Sequence, residues 1–446
     1  VKSPKTIFMI SLGCAKNLVD AENMLGILAE AGYEAVSDVE EARTVVVNTC
    51  GFIQDAVEEA IETILEMVRK KERGVVEKVL VTGCFVQRYG YKLRREIPEV
   101  DAWLGTGAYH DIVEAVETAP LKNASFRINR PVALSDHTTP RVLSGNTFSA
   151  YLKIAEGCSH ACAFCIIPKL RGPYRSRRPD SLVQEAEHLA AQGAVELNLL
   201  AQDTTAYGRD LGGDAGLEDL LERLVEVEGI RWIRVQYAHP AGITDRLLRL
   251  VEREKKICPY LDIPFQHVNR GVLGAMGREG MDRDIYLGLL GRIRSLTRPV
   301  RVRTTLMVGF PGETGEAFED LCSFVEEADL DFMGAFVFSP EKGSAAARMG
   351  GRVPRETAER RLSRLMEIQE GVSLRKKRAL LGTVEDVLIE GYCPETELLL
   401  AGRTSGMAPE VDGRVLVNKG EAEIGSIVPV LLTEAYPHDL IGEIVG

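Results

Sequence analysis

Short apolar runs rich in β-branched residues alternate with stretches of helical periodicity along most of this chain, and that alternation leaves few folds open. KTIFMISL, TVVVNT and VEKVLVTG lie within the first 120 residues. Runs so short and so uniformly apolar have the texture of parallel strands buried on both faces. Between them, NLVDAENMLGILAEAG and IQDAVEEAIETILEMVRKKERG repeat apolar residues at helical spacing and end at Gly. Residues 1–120 are therefore expected to form an open parallel α/β sheet. Residues 121–147 are polar and broken by prolines, as in a linker.

The alternation resumes from residue 148 on a larger scale. SAYLKIA, VELNLLA, RWIRVQY, PYLDIPF, VRVRTTLMVG and DFMGAFVF are six strand candidates, most of them followed by a helical stretch. Six units predict a TIM-like (β/α)6 barrel over residues 148–379, short of the full eight. Past 380 the texture changes to TVEDVLIEG, ELLLAGRT, RVLVNKG and GSIVPVLLTEA, separated by turn residues. These predict a small antiparallel β-barrel of OB-like size over residues 380–446, of a kind that often binds a macromolecule.

Nothing in the sequence spans a bilayer, and the apolar core of KTIFMISLGCA is too short for a secretory signal. A cytoplasmic location is the expectation, with no membrane partner. In that compartment the nine cysteines are not disulfide material. Cys258, Cys322 and Cys393 stand alone and are expected to be small buried hydrophobes. The other six fall into two sets. Cys158, Cys162 and Cys165 occupy CSHACAFC, just after the first barrel strand. A structural zinc site wants four ligands, usually paired, and no second pair follows; only His160 lies within reach. Three thiolates on a four-iron cluster would instead leave one iron open for a small molecule. Cys14, Cys50 and Cys84 each follow a predicted strand through a turn, after SLG, VNT and VTG. The carboxyl ends of parallel strands share one edge, so these three are expected to converge into a second three-thiolate site.

CSHACAFC, with Phe164 before its last cysteine, resembles the signature of the radical S-adenosylmethionine superfamily. The resemblance implies that S-adenosylmethionine chelates the open iron and is split by one electron from an external donor, releasing a 5′-deoxyadenosyl radical. With the three strand-end cysteines and the terminal β-barrel (a TRAM domain by this resemblance), the whole chain is similar to the methylthiotransferase family. Two 4Fe-4S clusters are then implied, the second carrying the sulfur that replaces an unactivated C–H. The same resemblance makes Gln202 and Asp203 in LLAQDTTAYG, Gln266 beside His267 in LDIPFQH, and Gly309 in MVGFPG candidate S-adenosylmethionine contacts. Arg171 and Arg175 in RGPYRSR are candidates for its carboxylate, and Arg177 lies in the same run.

The family divides between tRNA adenosine and protein substrates. Residues 380–446 carry 12 Asp+Glu against 3 Lys+Arg, within a chain of net charge −12. Such a tail repels phosphates and suits a basic protein, so tRNA is not the expected partner. GCAKNLVDAE, TGCFVQRYG and CIIPKLRGPYRSR resemble the branch that modifies an aspartate β-carbon in a small-subunit ribosomal protein, free or in the assembled subunit. A tRNA-adenosine enzyme is the alternative. A non-catalytic iron–sulfur scaffold would leave both open irons and the barrel without a use.

Overall fold

A computed structural model describes residues 5–118, 125–132, 134–212 and 215–445. Its first sheet contains β1 (Thr6–Ser11), β2 (Glu34–Ala35), β3 (Thr44–Thr49), β4 (Lys78–Gly83), β5 (Ala102–Leu104) and β6 (Ser125–Arg127). Their order is β2-β1-β3-β4-β5-β6, parallel throughout. Alternate residues of the central strands feed opposite faces, as a strand's two-residue period requires. Val45, Val47, Val79 and Val81 pack on helix Gln54–Glu72 through Val57, Ala60 and Ile64. Val46 and Leu80 pack on helix Ala15–Glu30 through Ala21, Met24 and Leu28.

The second sheet contains β7 (Ser149–Lys153), then, beyond the antiparallel pair β8 (Ala155–Glu156) and β9 (Arg175–Ser176), β10 (Glu196–Leu200), β11 (Trp232–Val235), β12 (Ile257–Asp262), β13 (Arg301–Val308) and β14 (Phe332–Val337). Its order is β14-β13-β12-β11-β10-β7, again parallel, with β7 and β14 at the edges: six units and no closure.

The third unit is closed: β15 (Val384–Cys393), β16 (Thr396–Thr404), β17 (Val415–Lys419), β18 (Ile427–Ala435) and β19 (Leu440–Ile444), in the order β15-β16-β17-β19-β18. Two sequence expectations change here. β19 was not among the expected strands, and its pairing with β17 is parallel, so the barrel is not antiparallel throughout. A fifth strand between β17 and β18 is what removes the free edges.

The stretch read as a linker, 121–147, is also corrected where it is described. Residues 125–127 extend the first sheet as β6. Farther on, the Val142 amide donates to Glu22 O at 3.1 Å, and Arg141 bridges Glu22 at 2.7 Å and Glu185 at 2.9 Å. A Cβ on Gly26 would meet Pro140 O at 2.3 Å, so the strap lies flush on helix Ala15–Glu30. Prolines and polar residues forbid regular structure there but not close packing.

The closed barrel packs against the amino ends of the second sheet. Phe148, Trp232, Tyr260 and Phe332 share one core with Val387, Leu388, Met407 and Val430. Glu196, the first residue of β10 and fully buried, joins Arg234 at 2.9 Å to Arg403 at 2.6 Å. The carboxyl ends of the same strands are thereby left to the cysteine loops. No helix among the described residues is long and apolar enough to cross a membrane.

Candidate active site

The three N-terminal cysteine loops touch one another. Gly13 adopts φ +89, and a Cβ there would lie 2.5 Å from Cys50 Cβ. Gly83, at φ +99, would meet Thr49 O at 2.5 Å, and a Cβ on Gly51 would meet Phe85 Cα at 2.6 Å. Only glycine permits the left-handed backbone at positions 13 and 83, and all three close approaches. A polar staple fixes the arrangement. Asn17 Nδ2 donates to Leu12 O and Thr49 O, each at 3.0 Å, Asn48 Nδ2 donates to Asn17 O at 2.7 Å, and Thr82 Oγ1 donates to Asn48 Oδ1 at 3.0 Å. Cys14, Cys50 and Cys84 thus gather at one edge, as the strand–turn–cysteine repeats predict. The Cys84 thiol lies 3.8 Å from Asn17 Oδ1. Burial pushes it up to about 12, with the Arg171 guanidinium pulling the other way.

The second cysteine loop runs from β8 to helix Ile167–Arg171. Its backbone is tied at both ends: Cys158 N donates to Gly172 O at 3.1 Å, and Ala163 N donates to Met276 O at 2.8 Å. Amides also point at the sulfurs, from His160 to Cys158 Sγ at 3.5 Å and from Ile167 to Cys165 Sγ at 3.4 Å. Such N–H···S contacts favour the thiolate and would tune a cluster held there. Burial pushes the Cys165 thiol up to about 12, so a cluster held there would have to displace its proton. No described Cys, His, Asp and Glu side chains form a group of three suited to a single metal ion.

Between the two loops lies a buried ionic cluster. Arg171 reaches Asp20 and Glu156, each at 3.0 Å, and donates to Asn17 Oδ1 at 2.5 Å. Lys153 pairs with Asp20 and, at 3.0 Å, with Glu156. Burial works to raise the Glu156 carboxyl, but Arg171 and Lys153 outweigh it and hold it well below the usual range. Helix Ala15–Glu30 supplies Asn17 and Asp20 one turn apart from its buried face. Sequence reading assigned neither a role, nor Lys153 or Glu156. The available signal was a polar i, i+3 pair directly behind a strand-end cysteine.

Three family profiles match in series. Residues 6–105 match Uncharacterized protein family UPF0004, residues 152–325 the Radical SAM superfamily, and residues 381–445 the TRAM domain. Ribosomal protein uS12 methylthiotransferase RimO of Syntrophotalea carbinolica is 48% identical over 99% of this chain and 97% of its own length. The RimO proteins of Geobacter sulfurreducens (46%, 99% and 98%) and Anaeromyxobacter sp. strain K (49%, 99% and 93%) are comparably similar. The chain belongs to the RimO family. Among solved structures, the radical S-adenosylmethionine methyltransferase TsrM from Kitasatospora setae superposes with a TM-score of 0.56. It is 12% identical over 86% of this chain and 81% of that one, a likeness of fold alone.

RimO and radical SAM membership bring S-adenosylmethionine and a [4Fe-4S] cluster, and the residues above β10 and β12 fit a polar ligand. Gln202 Oε1, Gln266 Oε1, Asp262 Oδ1 and His267 Nε2 are buried without a hydrogen-bond partner. Gln266 also holds φ 69 at the carboxyl end of the sheet, a conformation that costs energy in a non-glycine residue. Burial draws His267 down to about 3, so its ring is neutral.

Other expected contacts are placed differently in this RimO-family chain. Asp203 is occupied: Oδ2 sits 2.7 Å from His160 Nε2, and Oδ1 accepts from Thr205. It orients the cysteine loop, and the His160 ring in turn stacks on His239 at 4.5 Å. Arg171 faces the N-terminal cysteines and the ionic cluster, bonded to Asp20, Glu156 and Asn17. Arg175 donates to Pro173 O and Arg171 O, bracing its own loop, and Arg177 pairs with Glu185 at 2.5 Å. A Cβ on Gly309 would meet Ala358 Cβ at 2.6 Å, so its close approach is to helix Arg355–Arg378. Phe164 packs on the barrel core.

Proposed function

We propose that this chain is a radical S-adenosylmethionine methylthiotransferase that replaces a C–H on the β-carbon of an aspartate in ribosomal protein uS12 with C–S–CH₃. The observation that carries the reading is the pair of three-cysteine loop sets at the facing carboxyl edges of two parallel sheets. Cys158, Cys162 and Cys165 would hold one 4Fe-4S cluster; Cys14, Cys50 and Cys84 would hold a second. When bound, these groups and S-adenosylmethionine supply the electron, radical, sulfur and methyl group. The chain's own residues position and exclude. Asn17 and Asn48 lock the three N-terminal loops. Asp203 orients the His160 side of the second loop. Asp20, Lys153, Glu156 and Arg171 weld the two sheets, fixing the separation across which a carbon radical must be trapped.

A basic ribosomal protein of the small subunit fits the closed barrel better than tRNA does. Arg403 is buried on Glu196, leaving exposed Asp386, Glu395, Glu397, Glu410, Glu421 and Glu423 against exposed Arg414 and Lys419. Modification of a ribosomal protein places the enzyme in the cytoplasm, with an external electron donor. The test is an anaerobic reaction of reconstituted enzyme, S-adenosylmethionine and reductant with purified uS12, followed by mass spectrometry. A methylthio mass increase on one aspartate is expected. Modification of tRNA adenosine with uS12 untouched would overturn the reading.

A further inference from the structure

Lys16 stands two residues beyond Cys14, on helix Ala15–Glu30, and its side chain leaves the N-terminal sheet for the mouth of the six-stranded barrel. The residue is only 8% exposed. Its ammonium lies 4.1 Å from the centroid of the Tyr237 ring. Tyr237 follows β11 at its carboxyl end and holds φ 55, a left-handed backbone that an aromatic residue rarely adopts. The ammonium therefore sits where the N-terminal cysteine edge meets the barrel mouth.

The other buried cations at this junction are paired. Lys153 and Arg171 share Asp20 and Glu156, and Arg303 takes Asp412 at 3.0 Å. Lys16 is different: among the described residues, no carboxylate stands within ion-pair distance of it and no acceptor takes its hydrogens. Asp262, the free-standing carboxylate nearby, accepts from the Tyr237 amide at 3.3 Å and faces Arg303 at 3.9 Å. The Cys14 sulfur, Glu156 and Asp262 favour its charge through space, but among the described residues none hydrogen-bonds it, so beside the ring face its hydrogens stay available.

We infer that Lys16 receives the side-chain carboxylate of the substrate aspartate. This rests on the reading above that the substrate is a protein aspartate. The reacting β-carbon is bonded directly to that carboxylate, so anchoring one fixes the other near the cysteine junction. A neutral adenine would leave the ammonium unpaired, which makes Lys16 a source of selectivity as well as of position.

Binding without reductant isolates recognition from turnover. Wild-type enzyme, Lys16→Met, Lys16→Gln and Lys16→Arg are titrated with uS12 and with uS12 carrying Asn at the target aspartate, and iron is counted on each. The wild type should bind the Asp form about tenfold or more tighter. The Met and Gln variants should bind both forms alike, while Arg restores part of the preference. A wild type indifferent to Asp and Asn would overturn the inference, as would a preference surviving in Lys16→Met. Loss of iron from the Met and Gln variants with Lys16→Arg intact would assign Lys16 a structural role and also overturn it. If the wild type fails to methylthiolate uS12 at all, the proposed function fails instead, which the mass assay reads separately.

Discussion

Buried charge sets the behaviour of individual residues here. Arg171 is 2% exposed, and its removal leaves Asp20, Glu156 and Lys153 unbalanced in a buried junction. Breaking such a network typically costs about 3–5 kcal/mol, so Arg171→Met should lose about that much in anaerobic chemical denaturation. Arg355→Ala, at the solvent-facing start of its helix, should leave stability unchanged. A pH prediction follows from two other groups. Burial draws His239 down to about 4, whereas an unfolded histidine titrates near 6.5. The unfolded chain therefore binds the extra proton first, and stability falls as pH drops from 6.5 towards 4. Burial works to raise Glu196, but Arg403 and Arg234 outweigh it and hold it well below the ordinary 4.5. Its contribution is intact above about pH 4.5 and fades below. Denaturation midpoints measured from pH 7 to pH 4 should decline throughout, and His239→Phe should flatten the upper part of that slope.

Among the elements, the strand-to-loop turns carry the N-terminal cysteine site. Gly13→Ala combines φ +89 with a Cβ 2.5 Å from Cys50 Cβ. It should displace the Cys50 loop and lower iron content after reconstitution, with S-adenosylmethionine cleavage at the other site retained. Gly291→Ala is the control: it lies within helix Arg283–Arg294 with nothing within 4 Å of a new Cβ. That substitution should raise stability by about 0.5–1 kcal/mol through helix propensity alone. The same elements mark what a sequence can disclose. Strand ends followed by Gly or Thr and a cysteine announced the first site, because register along a parallel sheet is a local matter. CSHACAFC announced the second through spacing. Asn17, Asp20, Lys153 and Glu156 stayed silent, since each acts across an interface between sheets. Arg171 is legible as a cation, but its protein partners Asp20, Glu156 and Asn17 are not, for the same reason. β19 escaped because its five residues acquire their role only by inserting between β17 and β18.

At the scale of the whole molecule, the six-stranded sheet separates two tasks. Its amino ends are closed by the acidic β-barrel, and its carboxyl ends face the N-terminal cysteines. An acidic surface on the opposite side from the chemistry acts by steering, which changes association more than turnover. Reversing Glu395, Glu397, Glu421 and Glu423 to Lys should slow methylthiolation at limiting uS12 while sparing S-adenosylmethionine cleavage. The deficit should shrink as salt rises, because the Debye length is about 8 Å at physiological ionic strength. Equal rates at low salt would remove the electrostatic case for a basic protein partner. The central claim is that two separate three-cysteine sites divide the reaction between them. It is tested most directly by reconstituting the Cys14→Ala/Cys50→Ala/Cys84→Ala protein anaerobically and measuring iron, S-adenosylmethionine cleavage and uS12 methylthiolation together. Half the wild-type iron, sustained cleavage and no methylthiolation is the predicted result. Wild-type iron with undiminished methylthiolation would contradict it.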